Sequence, residues 1–544
     1  MRQSRAEAEL YRGLRLAGFY PKDRVLVEQI LEQMDYGVNV VQLPTGYGKT
    51  SLPVVCGMNS FINTENYLRA LHVLPLRSII EDAHRKTIQA MKKIGLTHAD
   101  EHTASQMMNV PGSPFLNKKL VFVTFETFRL HLMKIPPPEL EKIICPSFFS
   151  QLEGWRTYGH FEIGRGAIFE SFVFIDEPQL IVDRKDEKNQ GYLSSIVYAL
   201  AGMRTPLVVM SATVSKKLRE KIREAAQNFN VSYKEFIYGE NMFDKDFANV
   251  QRNKKITTGL KRGDVAEIGL DVLKEGMWDK VLVVVNTIEK AKKVYSTLRD
   301  YGALLLHGRL TRDDRVKVLE AMNGSKWVVV STQVVEAGVN ISADLLVTEA
   351  APASSLIQRA GRVARGDDDV EGEVVVVADE AGPYDEEIVA STVEAIEKAL
   401  RDGGVEWRLP TSDKGIGYSQ LVDRVHIHDL LPPNPYILNQ ILNPFSTPSQ
   451  ATTLLDDEMV TVFVGENVEN IGDNKSFVSE LSELSKHHPK AKVIKSDNNG
   501  RLVLTDETAR KIISKQNVQL RILCERIVGF LVSEAEYLHD AYGV

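Results

Sequence analysis

The stretch from Val40 to Pro53 constrains this chain more than any other. Val40-Val41-Gln42-Leu43 is a short apolar run of the kind that forms a buried parallel strand. Pro44-Thr45-Gly46-Tyr47-Gly48-Lys49-Thr50-Ser51 follows as a glycine-rich turn, and the residues after it read as helix. Two glycines let the backbone curl so that its N–H groups point inward at a phosphate. The N-terminus of the next helix adds partial positive charge at the same place. Lys49 is placed to reach β- and γ-phosphates, and the Thr50 hydroxyl to ligate Mg²⁺. Thr45 through Ser51 are therefore the expected cradle of a nucleotide, although Leu43 stands where the general phosphate-loop pattern has glycine.

A second apolar strand, Phe172-Val173-Phe174-Ile175, ends in Asp176-Glu177. Downstream of a phosphate loop this pair predicts a metal site and a base. Asp176 would hold Mg²⁺ through water, because that ion keeps part of its hydration shell. Glu177 would polarise the attacking water. The competing reading, a solvated strand end, is weakened by the loop upstream. Another buried run, Pro206 to Met210, leads into Ser211-Ala212-Thr213, whose hydroxyls are positioned to couple the acidic pair to movement elsewhere.

Gln358-Arg359-Ala360-Gly361-Arg362-Val363-Ala364-Arg365 spaces its arginines by three, which predicts a positive cluster on one side of a helix. Arg362 and Arg365 are then expected to reach a γ-phosphate and stabilise charge in the transition state. Gln358 would help place the water. The alternative is a solvated basic face. Upstream, in Ser331-Thr332-Gln333-Val334-Val335-Glu336-Ala337-Gly338, Gly338 allows backbone to approach a nucleotide closely.

Apolar strands at 71–75 and 121–125, and again at 281–285, 304–306, 327–330 and 373–377, alternate with helical stretches. That pattern predicts an α/β chain with two parallel sheets. The expected divisions are 1–250, 251–400 and an accessory region 401–544, with an insertion near 134–169 and a polar linker near 239–257. Glu373–Val377 is expected to close the second sheet, and helical patterns at 506–539 to end the chain. At the ends of strands, Arg77 and Thr124 are candidates for nucleic-acid phosphates, as is Thr332; for Thr124 a helix cap is the alternative. Phe19, Tyr20 and Gln29 are candidates for the base, against a core role for the aromatics.

A net charge of -7 argues against a uniformly basic nucleic-acid coat but leaves room for a local basic track. Cys56, Cys145 and Cys524 are far apart, which suits a reducing compartment and offers no zinc ribbon. With no apolar run long enough for a membrane and no signal peptide, a cytoplasmic protein is expected. His426 and His428 alternate as in a strand, and His539-Asp540 stands near the C-terminus. Neither supplies the spaced histidines and aspartates that a metal phosphohydrolase needs.

PTGYGKT, PLRS, TFETF, DEPQ, SAT, TQVVEAGVNIS and QRAGRVAR, in that order over roughly residues 20–380, resemble a superfamily 2 helicase. The forms QVVEAGV and QRAGRVAR, with Leu306-His307-Gly308-Arg309 before Asp314-Arg315, resemble the CRISPR-associated type I interference helicase. The resemblance implies two RecA-like lobes with ATP and Mg²⁺ in the cleft between them, and single-stranded DNA drawn 3′ to 5′ across both. Gln179 stands where that family has His, still able to couple to Ser211 and Thr213, and Asn340 where it has a ribose-binding Asp. The family's His-Asp nuclease usually precedes the helicase. Here the phosphate loop comes within the first fifty residues, so a separate nuclease subunit is expected, acting with the RNA-guided surveillance complex. The rival expectations are another superfamily 2 DNA-repair or RNA helicase, and a nucleotide-gated clamp or assembly subunit with little turnover.

Overall fold

The computed structural model describes residues 5–20, 22, 24–75, 77–106, 112–137, 160–182, 187–336, 341–366, 370–379, 382–425, 431–443, 446, 459–468, 471–497, 501–514, 522 and 525–542. The chain forms two compact units, each discontinuous in sequence. One comprises Met1–Pro137, Gly159–Arg262 and Val335–Ser446; the other comprises Pro138–Tyr158, Gly263–Val334 and Thr447–Val544.

The first unit is built on a seven-stranded sheet. Its strands are β1 (Val38–Gln42), β2 (Arg69–Leu74), β3 (Thr103–Gln106), β4 (Leu120–Thr124), β5 (Ser171–Asp176), β6 (Leu207–Ser211) and β7 (Tyr233–Ile237). They lie in the order β3-β4-β2-β5-β6-β1-β7, with every pair parallel. Strands buried on both faces must be apolar throughout, and β1, β4 and β6 are buried at every position. Each fully buried Val, Leu, Ile or Phe contributes roughly 1.5–3 kcal/mol. The phosphate loop follows β1, the acidic pair ends β5 and Ser211 ends β6, so all three come to the carboxyl edge of one sheet, where such folds bind ligands.

Six further strands are β8 (Lys255–Arg262), β9 (Lys280–Val284), β10 (Ala303–Leu306), β11 (Trp327–Ser331), β12 (Leu345–Glu349) and β13 (Glu371–Ala378). In the first unit β12 pairs parallel with β13, and β13 with β8. In the other unit β10 pairs parallel with β11, and β11 with β9. The result is the α/β architecture of two RecA-like parallel sheets with an added C-terminal region.

Two expectations are corrected. The stretch 239–257 is not a plain linker. Asp244 caps a helix, Lys245–Arg252, by accepting from the Phe247 N–H at 2.9 Å, and β8 begins soon after. Because β8 lies beyond β13, Glu373–Val377 does not close the sheet. The sequence Lys-Ile-Thr-Thr-Gly-Leu-Lys-Arg has no apolar run because β8 is an edge strand, where polar residues face water.

The C-terminal pattern is also not simply helical. Strands β16 (Met459–Val464), β17 (Ser476–Glu480), β18 (Lys492–Ser496), β19 (Leu502–Thr508) and β20 (Ile527–Val532) form a mixed sheet ordered β17-β16-β20-β18-β19; the short pair β14 (Val405–Glu406) and β15 (Ile416–Gly417) precedes them. Apolar runs of five or six residues do not by themselves distinguish strand from helix. Among the described residues here the α-helices are Leu481–His487, Ala509–Ile513 and Glu534–Tyr542. Of the expected insertion, the helix Phe161–Phe169 is described, while 138–159 lie outside the described residues. No helix among the described residues is long and apolar enough to cross a membrane.

Candidate nucleotide site

After β1 the chain turns through Gly46 at φ +75° and Gly48 at φ +109°, left-handed values that residues with a Cβ rarely adopt. Thr50 then leads into the helix Ser51–Asn59. Lys49 is nearly buried and donates to the Leu43 carbonyl at 3.1 Å. Its Nζ also lies 3.8 Å from Glu177 Oε1. Thr50 is exposed and Ser51 is buried.

Tyr47 has an inward role. Its ring is fully buried against Phe247 and Tyr238, and its hydroxyl donates to Asp244 Oδ2 at 2.5 Å. Burial, together with the Asp244 carboxylate, pushes the phenol pKa up. What Tyr47 can offer a phosphate is backbone.

Glu177 sits at φ +49°, in the left-handed region, a conformation that costs a non-glycine residue of order 1–3 kcal/mol. Three partners hold it there. Its N–H donates to the Met210 carbonyl at 2.9 Å, Ser211 Oγ donates to its Oε2 at 2.5 Å, and Gln179 Nε2 donates to the same oxygen at 2.6 Å. Thr213 joins through its N–H, which donates to Ser211 Oγ at 3.0 Å. Ser211 and Gln179 thus sit on the carboxylate of Glu177, and Thr213 reaches it only through Ser211.

Asp176 faces the other way, toward His72 of β2, whose Nε2 is 3.1 Å from Asp176 Oδ2. His72 is fully buried. The sequence reading missed it; the available signal was one histidine inside an otherwise apolar strand. The second oxygen, Asp176 Oδ1, is buried and has no hydrogen-bond partner. A buried carboxylate oxygen left over in this way fits a hydrated divalent cation, and the donor set of carboxylate and threonine hydroxyl suits Mg²⁺.

The arginine segment lies in the same unit. Its helix, Ala353–Ala360, stops before the second arginine, so the three do not share a helical face. Arg359 is fully buried, with Nε 2.8 Å from Glu336 Oε1 and Nη1 2.9 Å from Thr348 Oγ1. Burial disfavours its charge, yet Glu336, Tyr384 and Glu349 together outweigh this and hold its pKa above the ordinary value. Arg362 donates to the carbonyls of Val335 at 2.8 Å and Glu336 at 2.6 Å. Burial, with the charge of Arg365 beside it, pushes its pKa well down, while Glu177 opposes the shift. Arg365 is half-buried, and its Nε is 3.8 Å from where a Cβ on Gly46 would stand. Gln358 is buried, and its Nε2 has no hydrogen-bond partner.

Other candidates are placed less favourably. Thr124 is buried and caps the helix Phe125–Leu132, accepting from the Thr127 N–H at 3.2 Å. Thr332 is buried, its N–H donating to the Leu306 carbonyl at 3.2 Å. Arg77 opens the helix Arg77–Lys93, and its side chain lies outside the described residues. Gly338, Asn340, His426, His428, Cys145 and Cys524 also lie outside them. Phe19 and Tyr20 pack against the core, and Gln29 is exposed. A residue overlooked in the sequence is Arg24, whose guanidinium stacks 5.3 Å from the Tyr47 ring centroid, with its Cγ 3.8 Å from a Cβ placed on Gly48.

The C-terminal His539-Asp540 pair is divided. His539 is exposed, while Asp540 is buried and bonded to Lys292 Nζ at 3.1 Å. Among the described residues, the group of histidine and acids close enough for a metal is Glu289, Glu483 and His487. Arg309 already bonds Glu483 there at 2.8 Å.

Two family profiles match the chain: DEAD/DEAH box helicase over residues 21–221, and CRISPR-associated nuclease/helicase Cas3, C-terminal, over 278–368. A CRISPR-associated helicase Cas3 of Thermoproteus tenax is 24% identical over 393 residues, covering 69% of this chain and 62% of that protein. The chain thus spans less than two thirds of that relative. The crystal structure of T. fusca Cas3-AMPPNP aligns with a TM-score of 0.59 at 14% identity, covering 91% of this chain and 70% of that one. A chain of a CRISPR RNA-guided surveillance complex, pre-nicking, aligns with a TM-score of 0.54 at 15% identity, covering 91% of this chain and 70% of that one. The two profiles, matched in order, and the Cas3 relatives support a superfamily 2 helicase of the Cas3 type, with the phosphate loop, acidic pair and arginine turn on RecA-like sheets.

Proposed function

We propose that the chain is an ATP-driven translocase that moves 3′ to 5′ on single-stranded DNA. It would unwind target DNA in type I CRISPR interference, beside a separate His-Asp nuclease subunit and the RNA-guided surveillance complex. The observation that carries the reading is the gathering of Lys49, Glu177 and Arg365 at the phosphate loop, with Asp176 next to Glu177 at the end of β5. The Cas3 relatives support the assignment to CRISPR interference.

In this reading the backbone of Thr45 to Thr50 cradles the phosphates, and Lys49 leaves the Leu43 carbonyl to meet the β- and γ-oxygens. Thr50 and Asp176 would hold Mg²⁺, which would supply positive charge to the phosphates. Glu177 orients the attacking water and accepts its proton. Arg365 and Arg362 stabilise charge on the transferring group, and Gln358 helps place the water. Ser211, Thr213 and Gln179 tie the state of Glu177 to the rest of the first sheet.

Phosphate release by the purified chain, measured with no nucleic acid, with single-stranded DNA and with single-stranded RNA, tests this. Stimulation by DNA alone, together with unwinding of a duplex bearing a 3′ tail but not a 5′ tail, is the expected result. Stimulation by RNA alone would replace it with the RNA-helicase reading. A single burst of phosphate without sustained turnover would replace it with the clamp.

A further inference from the structure

The turn that follows the helix Ala353–Ala360 is held from behind by two cations. Arg408 donates from Nη1 to the Gly361 carbonyl at 3.1 Å, and from Nη2 to the carbonyls of Val363 at 2.7 Å and Ala364 at 2.6 Å. Lys254 Nζ donates to the Ala364 carbonyl at 2.7 Å and to that of Gly366. Both side chains are buried. Within the held turn, Ala364 stands at φ +46°, and Arg362 and Arg365 project from it. A planar guanidinium with donors in a fixed fork suits several carbonyls presented together, where a lysine would satisfy fewer.

Arg408 belongs to the segment from β14 through the helix Tyr418–Arg424, which also touches the first sheet. Gln42, the last residue of β1 and close to the phosphate loop, donates from Nε2 to Ser419 Oγ at 2.8 Å. Pro410 packs so closely on Gly239 that a Cβ there would meet its Cγ at 2.9 Å. Trp407, fully buried, donates from Nε1 to Thr258 Oγ1 of β8 at 2.9 Å. One short segment therefore grips the loop end of β1 and the back of the arginine turn.

We infer that residues 405–424 are a brace that fixes the arginine turn relative to the phosphate loop, and that Arg408 is its positioning residue. This rests on the proposed roles of Arg362 and Arg365 in ATP hydrolysis. Arg408 meets neither nucleotide nor metal in this account. It acts by holding the carbonyls of 361, 363 and 364, so that the two arginine side chains emerge at the right place. A displacement of about 1 Å in a transition-state contact can cost on the order of 10²-fold in rate.

The experiment uses the full chain, DNA-stimulated phosphate release and a fluorescent ATP analogue. Arg408→Gln should lower kcat by about 10- to 100-fold while the analogue's Kd stays within about threefold. Arg408→Lys should recover part of that loss. In an Arg362→Ala, Arg365→Ala background, Arg408→Gln should cost less than about threefold more, because both groups it positions are gone. Parental kcat in Arg408→Gln, or a full further loss on top of the double arginine variant, overturns the brace. If the double arginine variant itself turns over like the parent, the arginine reading has failed; if it is slow while Arg408→Gln is normal, the brace alone has failed. Should Arg408→Gln not fold by circular dichroism, Arg408→Lys and Ser419→Ala decide. Ser419→Ala frees the other end and should cut kcat by about threefold at unchanged Kd, and parental kcat in it overturns the proposal.

Discussion

Gly361 faces the side chain of Thr45 so closely that a Cβ on Gly361 would stand 2.9 Å from Thr45 Oγ1. The arginine turn and the phosphate loop are therefore in near contact within one compact unit, and the absence of a side chain at 361 sets their spacing. Gly361→Ala should wedge the two apart. We expect DNA-stimulated kcat to fall about tenfold or more, with the melting temperature little changed. In a Thr45→Ala background, which removes the opposing oxygen, the added cost should be smaller. Equal costs in both backgrounds, from steady-state turnover, would reject the wedge.

Lys49→Ala removes the main side-chain cation offered to the β- and γ-phosphates. The fold should survive, since the lysine's bonds are to the Leu43 carbonyl and, at 3.8 Å, to Glu177. DNA-stimulated hydrolysis should vanish. If phosphate release by Lys49→Ala matches the parent, the nucleotide site is elsewhere.

Glu177→Gln keeps the shape of the residue but removes the base and its charge. Single-stranded DNA and ATP should still bind in fluorescence titrations, while turnover drops by several orders of magnitude. Turnover near the parental rate would assign the water-activating role to another group.

Tyr47→Phe separates structure from chemistry inside the phosphate loop. The lost hydroxyl leaves Asp244 Oδ2 without its 2.5 Å partner, at a cost of roughly 1–3 kcal/mol to stability. The KM for ATP should stay within about threefold, because the ring faces Phe247 and Tyr238 rather than the turn's mouth. A large rise in KM at unchanged melting temperature would show that the side chain serves the nucleotide.

His131 gives the first unit an acid-sensitive point. It is fully buried, neither ring nitrogen has a hydrogen-bond partner, and burial lowers its pKa from 6.5 to about 3. A folded pKa below the unfolded one means that the unfolded chain binds the proton more readily. The contribution to stability is thus complete above 6.5 and is lost as pH falls toward 3. Over that window it amounts to about 1.4 kcal/mol per pH unit at most. His131→Leu should flatten the dependence of denaturation midpoint on pH between 4 and 6 by about that amount. An unchanged slope would place the acid sensitivity in other groups.

Sequence determined a good deal here, wherever a local pattern had one physical meaning. An apolar strand followed by Gly46-Tyr47-Gly48-Lys49 dictates a phosphate-binding turn, since only glycine tolerates φ values of +75° and +109° without strain. Apolar runs ending in Asp176-Glu177 and in Ser211 dictate neighbouring parallel strands whose ends meet, and Ser211 Oγ lies 2.5 Å from Glu177. Tertiary structure decided what spacing alone leaves open. Three equally spaced arginines received three environments: Arg359 was committed to Glu336, Arg362 to two backbone carbonyls, and Arg365 was set beside Gly46. Sequence spacing fixes where a side chain leaves the backbone, while its partner comes from segments far along the chain. For the same reason His72, Lys254 and Arg408 carried no local signal; each meets the site through residues about 100 or, for Arg408, about 45 positions away. The edge strand β8 and the mixed C-terminal sheet were hidden because short or polar strands owe their form to the neighbour they pair with, which no window of sequence contains.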